Sequence, residues 1–275
     1  MLLRDGRSHH RTYTHILLEV MALKRVNYLL QKMDINGMSN RMYFLPDHLD
    51  FYSTNSSESL AEDLSQGIGE ILKQSIASDG RASLAVSGGR TPVPLLDALS
   101  DLSLDWSSVD LTLVDDRWLD PSHKDSNEML VRSHLIKNKA KKINFLPLKN
   151  NSKTAKDGHK VSEELLQQVK SPFDVVVLGV GSDGHTASLF PCSDELTEGM
   201  NLNNPCRLIA TSPKTAPYER MSLTAKAIID SKNVFLHLNG SDKLQTLELA
   251  MTHKDAMKMP IYYFLEKGLK IYWSP

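Results

Sequence analysis

The amino-acid sequence predicts an α/β fold in which a mostly parallel β-sheet is flanked by helices on both faces. From residue 43 to the C-terminus, short apolar runs alternate with helical patterns, which is typical of βαβ units. The run FDVVVL at residues 173–178 is what a strand buried on both faces requires. Neither an internal repeat nor a low-complexity linker divides the chain, so we expect a single domain over residues 42–275.

Each element has its own signal. Ser56 and Ser57 can cap a helix that runs to residue 78 with one apolar stripe. Thr91 as N-cap and Pro92 at the first helical position predict a second helix. Further helices are predicted from the end of a polar loop at 115–127 to residue 136, at 159–169 and at 241–251. Strands are predicted at 84–86, 109–114, 145–148, 173–178, 208–211, 234–238, 261–265 and 270–273.

Residues 1–41 differ from the rest of the chain. They hold seven lysines and arginines against three acidic residues, and several of their apolar residues could share one face of a helix. A transit peptide would have this charge, but the segment is poor in serine. We therefore expect a poorly ordered N-terminal extension.

The composition limits the partners. The 275 residues include 32 Lys and Arg against 33 Asp and Glu, which argues against nucleic acid and anionic membranes as partners. No apolar stretch of about 18 residues exists to span a membrane. Cys192 and Cys206 show no metal-ligand or redox spacing, so we expect two reduced thiols in a cytoplasmic protein.

Three polar loops follow predicted strands, and ligands of parallel sheets bind beyond the carboxyl ends of strands. The first loop joins a strand to a helix and contains two adjacent glycines, which let the backbone approach an anion at the helix N-terminus. It is either a tight turn or a phosphate cradle formed by Ser87, Gly88, Gly89, Arg90 and Thr91.

The third loop contains His185 beside Asp183, in the segment GSDGHT. Residues 179–184 match G-x-G-x-x-G, but the next strand ends without the acid that a dinucleotide ribose requires, so we disfavour a dinucleotide site. His185 is either a buried structural histidine or a titrating base near neutral pH. Its place at a predicted strand-to-helix junction favours the base.

The second loop brings Asp115, Asp116 and Arg117 together after a strand. It is either a solvated charge run or a site where Arg117 holds an oxyanion or a phosphate. Lys214 and Arg220, in a proline-stiffened loop, are further candidate cations. The sequence has no G-x-S-x-G elbow, no P-loop, no H-E-x-x-H and no clustered His/Cys set, so we expect neither a serine esterase, a nucleotide cofactor nor a metal.

Four segments together resemble the 6-phosphogluconolactonase family. They are residues 84–92 (LAVSGGRTP), 114–118 (VDDRW) with 125–128 (DSNE), 178–191 (LGVGSDGHTASLFP), and 213–224, the last of which is similar to the family's late basic loop. The third segment is the most specific because it is long and irregular. The resemblance spans residue 43 to the C-terminus.

This resemblance implies a Rossmann-like fold shared with glucosamine-6-phosphate deaminase and ribose-5-phosphate isomerase. It also implies hydrolysis of 6-phospho-D-glucono-1,5-lactone without metal or nucleotide. His185 would be the general base, oriented by Asp183, and Arg117 would contact the lactone end. The phosphate side would use Gly88, Gly89, Arg90, Thr91, Lys214 and Arg220.

The sequence departs from the family pattern, since Asp116 stands where the family usually has glutamate, which leaves the role of Asp116 in substrate binding open. Two rival functions share the scaffold: a glucosamine-6-phosphate deaminase-like isomerase, and a non-catalytic sugar-phosphate-binding protein. The isomerase family reads DGHIAFNEP where residues 183–191 read DGHTASLFP. We expect a monomer or weak homo-oligomer whose partner is the small phosphorylated lactone.

Overall fold

The computed structural model describes residues 49–275. The prediction for residues 1–41 lies outside these residues, as do residues 42–48 of the predicted domain. Ten strands occur in the described part, and eight α-helices accompany them. The strands are β1 (Asp50–Ser53), β2 (Ala82–Val86), β3 (Val109–Leu113), β4 (Asp115–Arg117), β5 (Asn144–Phe145), β6 (Val175–Leu178), β7 (Leu208–Thr211), β8 (Arg220–Leu223), β9 (Val234–Asn239) and β10 (Lys270–Ser274).

The helices lie in the segments that connect these strands. They are α1 (Ser57–Asp79), α2 (Val93–Ser100), α3 (Asn127–His134), α4 (Ala155–Leu166), α5 (Leu196–Gly199), α6 (Ala225–Ile229), α7 (Ser241–His253) and α8 (Ile261–Glu266). The Ser56 side chain caps α1 by accepting a hydrogen bond from the Ser59 N–H. None of the helices described is long and apolar enough to cross a membrane.

Seven strands form a parallel sheet in the order β1-β10-β9-β6-β2-β3-β5. Every residue of β2, β3 and β6 is buried, so helices cover both faces of the sheet centre. The predicted parallel α/β fold is therefore confirmed. Buried apolar side chains of this sheet, its helices and the smaller second sheet belong to one hydrophobic core.

The strand order changes direction between β2 and β6. From β2 the chain builds outward through β3 to β5, whereas β6 leads through β9 and β10 to the opposite edge. Loops leaving β2 and β6 therefore diverge and open a crevice at the carboxyl edge, the usual ligand site of such sheets. The fold thus places the loop of residues 87–91 beside the loop that contains His185.

A second sheet, with the antiparallel order β4-β8-β7, was missed from sequence. The predicted loop at 115–127 begins with strand β4, and Arg220 opens strand β8 rather than lying in a loop. Strand β4 consists of three charged residues and has no apolar alternation, and the alternation in β8 covers four residues, too few to identify a strand. The predicted strand at 208–211 exists, but it belongs to this sheet.

Some predicted elements are wrong. Residues 261–265 form helix α8, not a strand: Pro260 precedes its first turn, and Ile261, Phe264 and Leu265 bury one helical face. Pro92, rather than Thr91, is the N-cap of α2. His185 does not lie at a strand-to-helix junction, because turns follow β6 and the next helix is the four-residue α5.

Candidate active site

The crevice between β2 and β6 is a cleft of about 220 Å³. Its lining contains most of the residues predicted from sequence, namely Ser87, Gly88, Gly89, Arg90, Thr91, Arg117, His185 and Arg220. Asp115, Asn127, His237 and Lys243 also line it. Four cationic side chains therefore face one carboxylate in this cleft, which favours an anionic ligand.

The glycine loop after β2 presents free backbone donors to the cleft. The N–H groups of residues 88–91 donate no hydrogen bond within residues 49–275, and helix α2 begins directly after them. Gly89 has a φ of 92°, which glycine adopts without strain. Unpaired N–H groups ahead of a helix N-terminus form an anion-binding site.

Asn127, the first residue of α3, joins this loop to strand β4, which contains Arg117. A Cβ on Gly88 would lie 1.8 Å from Oδ1 of Asn127, so only glycine lets the two segments approach. The Asn127 amide donates to the Asp115 carbonyl (2.8 Å), and its Oδ1 accepts from Nη1 of Arg117 (3.4 Å). The same Nη1 donates to the carbonyl of Asp125 (2.7 Å). These contacts fix the guanidinium of Arg117 at the cleft wall.

Asp115 is the buried carboxylate of the cleft. Its Oδ2 accepts from the Ser188 hydroxyl and lies 3.8 Å from Nη1 of Arg220. The Arg220 guanidinium is also buried, which lowers its pKa although the charge of Asp115 opposes that shift. The Asp115 carboxylate therefore connects strand β4 to strand β8 and to the loop that contains His185.

His185 and Asp183 form a close pair. The His185 Nδ1 lies 2.5 Å from Oδ1 of Asp183, and since a carboxylate can only accept, Nδ1 carries the proton. Partial burial acts to raise the pKa of Asp183, but hydrogen bonds from the His185 ring and backbone outweigh it and lower the pKa. Nε2 of His185 has no hydrogen-bond partner in the described part of the chain. Its lone pair is thus available to a ligand.

Aromatic stacking holds the His185 ring from one side. Phe190 stacks on it with ring centroids 3.8 Å apart, and the guanidinium carbon of Arg220 lies 4.9 Å from the centroid of the Phe190 ring. Gly181 packs on the ring edge, where a Cβ would lie 2.1 Å from Cε1 of His185. The imidazole can therefore tilt little in any direction.

Asp116 does not line the cleft. It is 2% exposed, and its carboxylate accepts from the backbone N–H groups of Arg117 (2.8 Å), Asn127 (2.7 Å) and Glu128 (3.1 Å). Burial raises its pKa to about 6 despite these hydrogen bonds. Asp116 thus holds the start of α3, and the structure gives no support to the predicted contact with substrate.

Lys214 also lies outside the cleft lining. Its side chain is 62% exposed and forms an ion pair with Asp194. Lys243 lines the cleft instead, from the first turn of α7, with its ammonium 3.7 Å from Asp242. The sequence held a signal for Lys243, because Gly240 follows a strand and precedes a helix as Gly89 does.

Asn127 and His237 were likewise missed. Asn127 lies in residues 125–128, which belong to the segments that resemble the family, but nothing in the sequence indicates that its side chain would reach Gly88. Burial lowers the pKa of His237 to about 4, so this imidazole on β9 is neutral at neutral pH. Among residues 49–275, the group of His, Cys and carboxylate ligands close enough for a metal ion lies elsewhere, at His159, Glu163 and Cys206.

Comparison with known proteins identifies the family of this chain. The family model described as glucosamine-6-phosphate isomerases/6-phosphogluconolactonase matches residues 55–273. The chain belongs to this family. A 6-phosphogluconolactonase of Pseudomonas aeruginosa is 36% identical over 231 residues, covering 84% of this chain and 97% of that protein.

Solved structures agree. The crystal structure of a 6-phosphogluconolactonase from Shewanella baltica OS155 has a TM-score of 0.81 and 40% identity, covering 84% of this chain and all of that one. A monomeric glucosamine-6-phosphate deaminase has a TM-score of 0.66 at 14% identity, covering 82% and 96%. That second likeness shows the shared fold alone.

The burial of Asp116 predicts an unusual pH dependence. Folding raises the pKa of this group from 3.8 to about 6, so its neutral form stabilises the fold and that stability is lost as pH rises through 6. Relative to Asp116→Asn, the free energy of unfolding of the wild type should fall by about 2 kcal/mol between pH 4 and 7. Urea unfolding at several pH values measures this difference. A difference that is constant or grows with pH would contradict the assignment.

Proposed function

We propose that the protein hydrolyses 6-phospho-D-glucono-1,5-lactone to 6-phospho-D-gluconate, the ring-opening step of the oxidative pentose phosphate pathway. It is thus a carboxylic ester hydrolase, like the relatives that carry the name 6-phosphogluconolactonase. The observation that carries this proposal is the His185 imidazole, which is held by Asp183 and lines the same cleft as residues 88–91 with their unpaired N–H groups.

His185 acts as the general base in this proposal. Its Nδ1 is protonated and bound to Asp183, so Nε2 removes a proton from a water molecule that attacks the lactone carbonyl carbon, C1. Asp183 orients the ring and stabilises the imidazolium that forms. Collapse of the tetrahedral intermediate breaks the bond from C1 to the ring oxygen, and the imidazolium returns the proton to that oxygen.

Arg117 stabilises the oxyanion of the tetrahedral intermediate. Its guanidinium is held by Asp125 and Asn127 before substrate binds, so it need not reorganise during the reaction. Nη2 of Arg117 has no hydrogen-bond partner among residues 49–275, so it is free to donate to an anionic oxygen in the cleft that Arg117 lines. A positioned base raises the rate by about 10²–10⁴-fold and a donor to the oxyanion by about 10²–10³-fold. These factors multiply, and together they suffice for a reactive ester.

Hydrogen bonding favours water over a serine as the nucleophile. The Ser87 hydroxyl donates to the carbonyl of Val177 (2.9 Å), and the Ser188 hydroxyl donates to Asp115. Neither hydroxyl is bonded to His185, as an activated serine would be. A hydrolase with one histidine base therefore fits better than an acyl-enzyme mechanism.

The phosphate occupies the part of the cleft that residues 88–91 line. We assign it to the unpaired N–H groups of residues 88–91, with Arg90, Arg220 and Lys243 as cations. Lys243 takes the role that the sequence suggested for Lys214. Because the phosphate is attached to C6, several bonds from C1, it contributes binding rather than chemistry.

We further propose that the enzyme works in the cytoplasm as a monomer or weak homo-oligomer. Cys192 and Cys206 are both free thiols, in keeping with a reducing compartment. Size-exclusion chromatography with light scattering measures the oligomeric state.

The rival functions are separated by one pair of assays. Purified protein is given the phosphorylated lactone and, separately, glucosamine 6-phosphate. Rapid formation of 6-phosphogluconate supports the lactonase. Release of ammonia from glucosamine 6-phosphate would identify an isomerase, and binding of either compound without turnover would identify a sugar-phosphate-binding protein.

Replacing the proposed base should abolish most of the activity. We expect His185→Ala to lower kcat by about 10²–10⁴-fold, because the attacking water then keeps its proton. His134→Ala is the matched control, since His134 forms a similar pair with Asp97 (3.1 Å) outside the cleft. Activity is followed by coupling 6-phosphogluconate to its oxidation. Wild-type rates in His185→Ala would refute the mechanism.

The two lysines should differ in their effect on substrate binding. Lys243→Ala should raise KM for the phosphorylated lactone by roughly 10–100-fold, the range for losing one charged hydrogen bond, with kcat nearly unchanged. Lys214→Ala should change KM less than about twofold, because Lys214 is outside the cleft. Glucono-1,5-lactone, which lacks the phosphate, should not distinguish Lys243→Ala from the wild type. The reverse order of the two lysines would overturn the phosphate assignment.

Gly181→Ala should displace the imidazole without unfolding the chain. The new Cβ overlaps Cε1 and Nδ1 of His185, while the φ of Gly181 is one that alanine adopts. We expect kcat to fall by about 10²-fold or more. Gly67→Ala is the control, since a Cβ there meets no atom within 4 Å. Unchanged kcat in Gly181→Ala would mean that the position of His185 matters little.

A further inference from the structure

A second cluster of reactive side chains lies between helix α4 and strand β7. It consists of His159 and Glu163 on α4 and of Cys206, two residues before β7. Their ligand atoms all lie within 4.8 Å of one another, and all three residues are partly buried. Sequence spacing does not reveal this cluster, because Cys206 is more than forty positions from Glu163.

The backbone already fixes the orientation of His159. Residues 159 and 163 are one helical turn apart, so both side chains point from α4 towards β7. Nε2 of His159 lies 2.8 Å from the carbonyl oxygen of Leu208, which can only accept, so Nε2 carries the proton. The lone pair is therefore on Nδ1. A histidine whose other nitrogen donates to a carbonyl is the usual arrangement of a metal ligand.

Glu163 is oriented by backbone donors, and its charge acts on the Arg207 guanidinium without a direct ion pair. Its two carboxylate oxygens accept from the backbone N–H groups of Arg207 (3.0 Å) and Leu208 (2.8 Å), which orient them. No Lys, Arg or His nitrogen among residues 49–275 forms an ion pair with Glu163. The nearby guanidinium of Arg207 instead donates to the carbonyl of Leu166.

Cys206 sits on a segment that is held on both sides. Its N–H donates to Oδ1 of Asn204 (2.9 Å), and its carbonyl accepts from the hydroxyl of Thr224 (3.2 Å). The thiol is free and has no hydrogen bond in the described part of the chain. It is therefore presented to His159 and Glu163 by a rigid backbone.

We propose that His159, Glu163 and Cys206 bind one zinc ion that clamps α4 to the small sheet. Imidazole, carboxylate and thiolate are the three ligand types of Zn²⁺, and water would complete a tetrahedral set. Binding deprotonates the thiol, and the proton goes to solvent. The thiolate and the carboxylate then neutralise the two positive charges of the ion.

This site is separate from the cleft. None of the three ligands lines the cleft, and Leu208 lies three residues along β7 from Thr211, the partner of Arg220 in β8. At about 3.4 Å per residue the separation along the strand is roughly 10 Å. Zinc at this site would therefore stabilise the fold and take no part in the proposed hydrolysis, so the two proposals fail independently.

The test uses cobalt as a spectroscopic probe of thiolate coordination. Tag-free full-length protein is freed of metal with a chelator and titrated with Co²⁺, and Zn²⁺ is then added. We expect one equivalent of Co²⁺ to produce a thiolate-to-cobalt charge-transfer band that Zn²⁺ abolishes. Cys206→Ser should lose the band. Cys192→Ser should keep it, and since the chain has two cysteines this pair assigns the ligand.

Thermal unfolding supplies an independent readout. Zn²⁺ at about a hundredfold excess over its Kd should raise the Tm of the wild type and of Cys192→Ser by roughly 5–10 °C. Cys206→Ser and Glu163→Gln should show less than about a quarter of that rise. Absence of the charge-transfer band, its persistence in Cys206→Ser, or an equal Tm rise in all four proteins would overturn the proposal.

Discussion

The site depends on the buried carboxylate of Asp115. This residue follows β3 of the large sheet and begins β4 of the small sheet, so it stands where the two sheets meet. Its oxygens hold Ser188 in the histidine loop and Arg220 on β8, and its backbone carbonyl holds Asn127. A buried ion pair of this kind contributes more to a unique arrangement than to net stability.

Through its contacts with Asn127, Arg220 and Ser188, Asp115 positions the side chains around the cleft. Asn127 packs against Gly88 so closely that no side chain would fit there, and its Oδ1 accepts a hydrogen bond from Arg117. Arg220 contacts the Phe190 ring, and this ring stacks on the His185 imidazole. The imidazole is thus held by stacking, by Asp183 and by the backbone at Gly181. Such preorganisation lets a single base and a fixed cation suffice for hydrolysis of a strained ester.

The sequence predicted the features that local patterns encode. Apolar runs revealed the parallel strands, and the rule that ligands bind at strand ends brought Gly88, Arg117 and His185 into one hypothesis before any coordinates. What it missed depends on distant contacts. Lys243 reaches the cleft because β9 lies beside β6, and the role of Asp116 under α3 depends on three backbone donors that no motif records. The aromatic run at 261–265 favours a strand by propensity, but packing of one helical face overrides it.

A crystal structure with 6-phosphogluconate bound tests the central claim most directly, because one ligand must then span the converging loops. We expect the product carboxylate to accept a hydrogen bond from Arg117, and the hydroxyl formed from the ring oxygen to donate to Nε2 of His185. We also expect the phosphate to accept from the N–H groups of residues 88–91 and from Lys243. A product bound in the reverse direction, or outside the crevice between β2 and β6, would contradict the account.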